Sequence, residues 1–340
     1  MTDQAKIDKI DAMILKALLL ESRTSFTDLA KECKITIAAV RMRYKNLWKE
    51  GVINGEKMLV NPHCLGYRHI VDLGIINAAE DQEEVAKYLE NKPISELVSP
   101  YGKYNFLGKV VLRDLKRLHE IIEDFESYSK IKHVDTFIWA NAVNLEYPEN
   151  LIIKPLSRED GQRNKKAAIL TDSELATMEI DDTDREIAKI LSENSRTPFK
   201  TIASQLDLSA KTVIQRYKKL RENLLPVSTV TLNLNKLGFK ALANIYVKIS
   251  NRSKIQDIYS QLLDIPNLIV IVRLIDTYDL YCALVLDDFQ AMFDANEKIR
   301  RINGIETSIV YLTQMPPSWP LNLFPSLLEN DIVQPKYWEK

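Results

Sequence analysis

The chain is predicted to adopt an α+β fold built in duplicate: two copies of a three-helix helix-turn-helix domain, each followed by a ferredoxin-like βαββαβ domain. Three observations predict it. Residues 7–47 align without a gap over residues 180–220, with identities at Ile7, Asp8, Asp11, Ile14, Lys16, Leu18, Ser22, Arg23, Thr24, Phe26, Ala30, Val40, Arg43, Tyr44, Lys45 and Leu47. After loss of one residue, NPHCLGY from Asn61 then matches NLNKLGF from Asn233. Apolar residues in both aligned segments recur at helical spacing behind cap signals, and beyond each Leu-Gly the strand-like and helical stretches follow the order βαββαβ.

The first helix of each copy opens on an N-cap with a carboxylate three residues later, Asp8 with Asp11 and Asp181 with Asp184. It carries one apolar stripe, Ile14, Ala17 and Leu18 or Ile187, Ile190 and Leu191. The second helix follows Thr24 or Thr197, with Pro198 expected at the first helical position, where its missing N–H costs nothing. The third begins at Thr36 or Ser209 and buries Val40, Tyr44 and Leu47 or Val213, Tyr217 and Leu220 at i, i+4 and i+7. Strands are expected over 69–76, 94–99, 104–112 and 133–143 around helices at 83–89 and 115–127. The second copy repeats them over 242–249, 268–274, 278–286 and 306–313 around helices at 254–263 and 289–302.

These readings divide the chain into a helix-turn-helix unit over 1–55, a ferredoxin-like unit over 56–150, a linker over 151–178, a second helix-turn-helix unit over 179–227, a second ferredoxin-like unit over 228–315 and a tail over 316–340. The linker is assigned from its polar, charged composition. Pro316, Pro317, Pro320 and Pro325 keep the tail from forming a regular helix, and Trp319 suggests that it packs back on the protein.

At 340 residues the chain exceeds one ordinary core. It has no stretch approaching the ~20 apolar residues of a membrane span and no signal-peptide segment, so a cytoplasmic location is expected. Cys33, Cys64 and Cys282 lie far apart without a CxxC pair, which points to small core residues and to neither disulfides nor a metal site. A net charge of −1 argues against bulk electrostatic coating of nucleic acid, so any basic surface must be local.

The third helices supply it. Burial of their apolar stripe leaves Ala38, Ala39, Arg41, Met42 and Lys45 facing outward in the first copy and Lys211, Thr212, Gln215, Lys218 and Lys219 in the second. Such a helix suits the major groove: Arg and Lys meet guanine and phosphate, Gln meets adenine, and Ala and Thr touch thymine methyls. Thr36 and Ser209 at the helix starts complete the candidate DNA contacts, with double-stranded DNA as the expected partner. Arg43 and Arg216 border the buried stripe, and the sequence leaves two roles open for them: a phosphate contact, or a bridge to an acidic residue of the first helix.

IDKIDAMILKALLLESRTSFTDLAKECKIT, followed by VRMRYKNLWKEGVI and NPHCLGY, resembles the Lrp/AsnC (feast/famine) transcription regulators, and the resemblance covers nearly the whole chain twice. The second copy departs at the hinge, where Leu224, Leu225 and Pro226 stand for Gly51, Val52 and Ile53, so an altered hinge strand is expected. The resemblance implies sequence-specific regulation of transcription and an amino acid or other small effector bound between paired βαββαβ modules, near a turn leading into the third strand. It maps that site to Gly102, Tyr104 and Asn105 in one copy and to Asp276, Tyr278 and Asp279 in the other, neither matching the family pattern fully. Family regulators pair through these modules, which implies a homodimer or higher homo-oligomer, or a pairing within the fused chain. A rival resemblance, to the sirohaem decarboxylases, implies an enzyme on the same plan. Its pocket would need basic and histidine side chains, and His63, His69, His119 and His133 are scattered outside the strand segments expected to line it. The residues themselves call for no catalytic set and no cofactor.

Overall fold

The computed structural model describes residues 4–140, 147–157, 178–275, 277–328 and 336–337. In α1 (Lys9–Leu20) a reciprocal capping box forms: Asp8 accepts from the Asp11 N–H, and the Asp11 side chain accepts from the Asp8 N–H. Ser25 caps α2 (Phe26–Cys33) and Thr36 caps α3 (Ile37–Lys49). The second copy repeats the triplet as α6 (Asp182–Glu193), α7 (Phe199–Gln205) and α8 (Ala210–Glu222). Pro198 takes the N-cap position of α7, one residue before the first helical position expected for it.

Each triplet leads into a hinge strand, β1 (Ile53–Leu59) or β6 (Val227–Leu232), and these two pair with each other antiparallel. The altered sequence before β6 therefore shortens the second hinge strand without abolishing it. Through this ribbon the copies cross: α1 packs on β6, and α6 packs on β1. At the crossing Ser22 Oγ bonds both Ser195 Oγ (2.6 Å) and Ser228 Oγ (2.5 Å) out of solvent.

The first βαββαβ unit comprises β2 (His69–Asn77), α4 (Gln82–Glu90), β3 (Glu96–Val98), β4 (Phe106–Leu112), α5 (Lys116–Ser127) and β5 (Ile131–Ile138), in the order β3-β4-β2-β5, and the short strand Lys336–Tyr337 adds parallel to β3 at the edge. The second comprises β7 (Ala241–Ile249), α9 (Ile255–Leu262), β8 (Leu268–Arg273), β9 (Leu280–Leu286), α10 (Phe289–Arg301) and β10 (Ile305–Gln314), in the matching order β8-β9-β7-β10. Strand alternation gives each sheet two apolar faces. Val71, Leu73 and Ile75 face Val85, Leu89 and Phe125 of the covering helices. Tyr104, Phe137 and Trp139 instead meet Tyr246, Val272 and Tyr311 of the other sheet. The aromatic rings interlock there, Phe137 lying 4.6 Å from Tyr246 and Tyr104 5.2 Å from Tyr311 between centroids.

The sheets thus pair within one chain, which is one of the pairings left open above, and the two-headed unit is internal to it. Residues 151–157, assigned above to a linker, are packed rather than solvated: Leu151, Ile153 and Leu156 join the core of the first helix-turn-helix. Lys16 Nζ donates to the Pro148, Glu149 and Leu151 carbonyls at 3.0, 2.8 and 2.6 Å, which anchors the segment. The tail does the same for the second copy, where Phe324, Leu327 and Leu328 enter the core formed by Ile187, Leu191 and Val213. Cys33, Cys64 and Cys282 are buried free thiols, and burial pushes the Cys64 thiol up to about 11.

Candidate nucleic-acid interface

Burial of Val40 and Leu47 on α3, and of Val213 and Leu220 on α8, fixes which side of each third helix meets solvent. Ala38, Arg41, Met42 and Lys45 are exposed on the first, as are Lys211, Gln215, Lys218 and Lys219 on the second. Ala39 and Thr212 are half-buried. The hydroxyls of Thr36 and Ser209 serve as caps, accepting from the Ala39 and Thr212 amides at 3.1 and 3.0 Å. Among the described residues Arg41, Lys45, Lys211 and Lys218 have no ion pair, so their charge is available to a polyanion. Lys219 is partly engaged, at 3.1 Å from Asp184 Oδ2 and 3.0 Å from the Glu179 carbonyl.

Arg43 and Arg216 settle into the acidic role of the two left open. Arg43 spans Asp8 at 2.7 Å and Asp11 at 2.8 Å, and Arg216 spans Asp181 at 2.7 Å and Asp184 at 2.8 Å. The Arg216 guanidinium holds the Asp181 carboxyl below the usual range, aided by the Asp184 amide. Both arginines therefore tie the third helix to the first and are not free reading residues. The outer faces also expose Ile37, Met42 and Ile214, at 40%, 58% and 38%. Ile37 and Ile214 escaped the sequence reading; Ile214 occupies the repeat position of Arg41, and an apolar residue at an outward position was the available signal.

Two arginines after the first helices join the heads. Arg23 donates to the Ser195 carbonyl, and its guanidinium lies 4.3 Å from the Phe199 ring centroid and 5.4 Å from that of Tyr217. Arg196 reciprocates, donating to the Ser22 carbonyl and lying 4.8 Å from Phe26 and 5.7 Å from Tyr44. Arg196 also faces Glu56 at 3.6 Å, and Glu56 accepts from the Tyr44 hydroxyl. Burial raises the Glu56 carboxyl above its ordinary range against the pull of Tyr44 and Arg196. The identity of Arg23 with Arg196 in the repeat marked these residues, but a cross-copy contact is invisible within one copy.

The residues assigned to an effector turn are occupied by packing. A Cβ on Gly102, at φ +153°, would run into the Tyr311 ring of the other copy. Tyr104 is buried and donates to Asp135 Oδ2 at 2.7 Å. Asn105 is bonded to the Asn77 amide and to Gln82. Tyr278 packs near Phe137 and Tyr246, and Asp279 is buried, accepting from the Ile249 amide at 2.8 Å and from Arg252 at 2.6 Å. Asp276 lies outside the described residues. None of the five described residues lines the cavity between the sheets.

That cavity, about 550 Å³, is bounded by both sheets, both hinge strands and the tail from Gln314 to Phe324. One wall carries a buried charged cluster: Lys109 is paired with Asp72 and lies 3.5 Å from Glu96, while Trp139 Nε1 donates to Asp72 at 2.7 Å. The Lys109 ammonium sits 4.4 Å from the Trp139 ring centroid. Sequence reasoning passed over this cluster, although charges at Asp72 and Lys109 inside apolar strand runs were a signal. His63 is buried without a side-chain partner, His69 is half-buried, and His119 and His133 are exposed; none lines the cavity. No group of three or more His, Cys, Asp or Glu residues suited to a metal occurs among the described residues, and no described helix is long and apolar enough to cross a membrane.

Two capped helix triplets with basic third helices, mounted on paired ferredoxin-like sheets, define a helix-turn-helix DNA-binding protein. Residues 7–54 match the model for winged helix-turn-helix DNA-binding domains, and residues 180–221 match that for the AsnC-type helix-turn-helix domain. The chain is 35% identical over 119 residues to the HTH-type transcriptional regulator LrpA of Pyrococcus horikoshii, covering 84% of that protein and 35% of this one. It is 29% identical over 137 residues to the regulatory protein AsnC of Haemophilus influenzae, covering 90% of that protein and 39% of this one. The chain belongs to the Lrp/AsnC family of DNA-binding transcription regulators. Its whole fold is similar to that of the siroheme decarboxylase NirDL, with a TM-score of 0.63 at 12% identity, over 94% of this chain and 97% of that one. At this identity the likeness is one of fold.

Proposed function

We propose that the chain acts as a built-in heterodimer, reading one DNA duplex with two unlike helices, α3 and α8, under control of a small effector. The observation that carries this reading is the reciprocal insertion of Arg23 and Arg196 between the heads, which makes their spacing a property of the fold. The candidate contacts are Thr36, Ala38, Ala39, Arg41, Met42 and Lys45 on one side and Ser209, Lys211, Thr212, Gln215, Lys218 and Lys219 on the other. Exposed Met42 and Ile214 suit thymine methyls, and the unpaired cations suit phosphate and guanine. Because the two faces differ at nearly every outward position, the half-sites should differ too, unlike the palindromes read by symmetric dimers. Selection from random duplexes tests this. Two dissimilar half-sites at one fixed spacing are expected; a palindromic consensus, or no enrichment at low salt, would sink the reading.

A second reading, decarboxylation of a sirohaem, is favoured by the whole-chain likeness in fold to NirDL together with the cavity between the sheets. Among the described residues lining it, Lys109 is the one cation, already paired with Asp72, so a tetrapyrrole bearing several carboxylates would meet Asp72 and Glu96 as like charges. Titration of the protein with sirohaem, followed by absorbance and by release of carbon dioxide, separates the readings.

A further inference from the structure

We infer that the cavity between the sheets is a binding site for a small organic amine lacking a carboxylate, with Glu96 receiving its ammonium group. The first ground is a comparison internal to the chain. The repeat places Asn244 where the first copy has Asp72, since these residues sit opposite Tyr311 and Phe137 at matching register. By the same register Ala283 matches Lys109, Val270 matches Glu96, and Thr313 matches Trp139. In the second copy the position is filled by a neutral pair, Asn244 donating to Thr313 at 3.1 Å. One fold therefore accepts either solution on the same cavity wall. Removing charges from water is costly and seldom improves on a neutral equivalent, so the charged version has no structural necessity and calls for a ligand.

Charge and saturation identify the class. Asp72 is used up by Lys109 and Trp139, and Lys109 is its counter-ion. Among the described residues Glu96, 3.5 Å from the same ammonium, has no second cation, which leaves one carboxylate in excess on the wall. Asn322, on the tail across the cavity, spends its amide N–H groups on the Met58 and Ser192 carbonyls at 3.2 Å, while its Oδ1 is buried without a donor. Asn322 Oδ1 is closed off from the cavity, so Glu96 is the acceptor a ligand can reach, and Tyr281 and Trp139 supply aromatic walls that favour a cation. Among the described residues lining the cavity, a carboxylate on the same ligand would find no free cation. A metal ion is a poor occupant, because Lys109 already fills the centre of the carboxylate pair.

This inference deepens the effector reading above, and its assay runs without DNA, so its failure and the failure of that reading are distinguishable. Calorimetric titration of the full chain with phenethylamine and agmatine, alongside phenylalanine, arginine and uncharged 2-phenylethanol, tests it. At least one amine should bind at least tenfold more tightly than its carboxylated counterpart and, for phenethylamine, than the alcohol. Glu96→Gln should weaken that amine at least tenfold. Absence of binding by both amines, equal binding of the carboxylated or uncharged probes, or an unchanged affinity in Glu96→Gln would overturn it. The probe comparisons on the unmodified chain decide the matter even where the variant does not fold.

Discussion

The two clamp arginines occupy matching repeat positions, yet their removal should carry unequal costs. Arg196→Ala strands Glu56, which is 7% exposed and keeps the Tyr44 hydroxyl as a partner. Removing one member of a buried pair costs about 3–5 kcal/mol. The 3.6 Å separation and a 20% exposed Arg196 side chain place this case at the lower end, about 3 kcal/mol. Arg23→Ala loses carbonyl hydrogen bonds and the stacking on Phe199, but Ser228 stands where Glu56 would be, so no carboxylate is stranded and the cost is about 1–2 kcal/mol. The Glu56 carboxyl is already raised by burial and should rise further without Arg196. A carboxyl raised in the folded state destabilises increasingly as pH climbs from its unfolded value through its folded value. The Arg196→Ala deficit should therefore be larger at pH 8 than at pH 5, and adding Glu56→Gln should recover about half of it. Urea unfolding followed by tryptophan fluorescence measures all three. An Arg23→Ala cost equal to or above that of Arg196→Ala, or a deficit that shrinks with rising pH, refutes the reasoning.

Lys16→Met leaves three carbonyls without their donor and should cost about 2–4 kcal/mol in urea unfolding, with faster proteolysis between residues 147 and 157. Gly102→Ala drives a methyl group into the Tyr311 ring and should lower stability by about 1–3 kcal/mol, read by thermal unfolding. Lys218→Ala should weaken DNA binding severalfold and, through loss of one phosphate contact, reduce the slope of log affinity against log salt by about 0.9 in a mobility-shift series.

Local features were legible because their signals are local. Asp8 and Asp11 announce a helix start that the capping box realises, and Val40 and Leu47 mark the buried side of α3. The βαββαβ order follows from strand-like and helical runs of ordinary length. What escaped the sequence depends on contacts between copies, where separation along the chain hides the partner. Tyr104 and Gly102 looked like a turn open to ligand, but the pairing of the sheets within the chain sets Tyr311 against both. Leu151 and Ile153 stood beside a polar stretch and were grouped with it, although the unfilled side of α1 takes them. Arg43 and Arg216 had two roles compatible with their spacing, and only the approach of α1 to α3 decides between them.

Duplication followed by divergence usually relaxes whichever copy is less constrained, but here the differences are arranged across one molecule. The second copy exposes more lysine on its reading helix, while the first keeps the buried Asp72–Lys109–Glu96 cluster. In a symmetric homodimer a change at either place would appear twice, so a charged cavity wall would face its own image and two excess carboxylates would share one cavity, at the cost of like-charge repulsion. Fusion removes that constraint: Asn244 and Thr313 face the cluster with neutral groups, and one charge is tolerated where two would repel. The same reasoning applies to the heads, since one buried Glu56 is held by Arg196 while Ser228 spares Arg23 a carboxylate. Asymmetry in the cavity and asymmetry in the clamp are thus two consequences of having both copies in one chain. The tail connects them, because Asn322 bonds β1 through Met58 and α6 through Ser192 while lining the cavity.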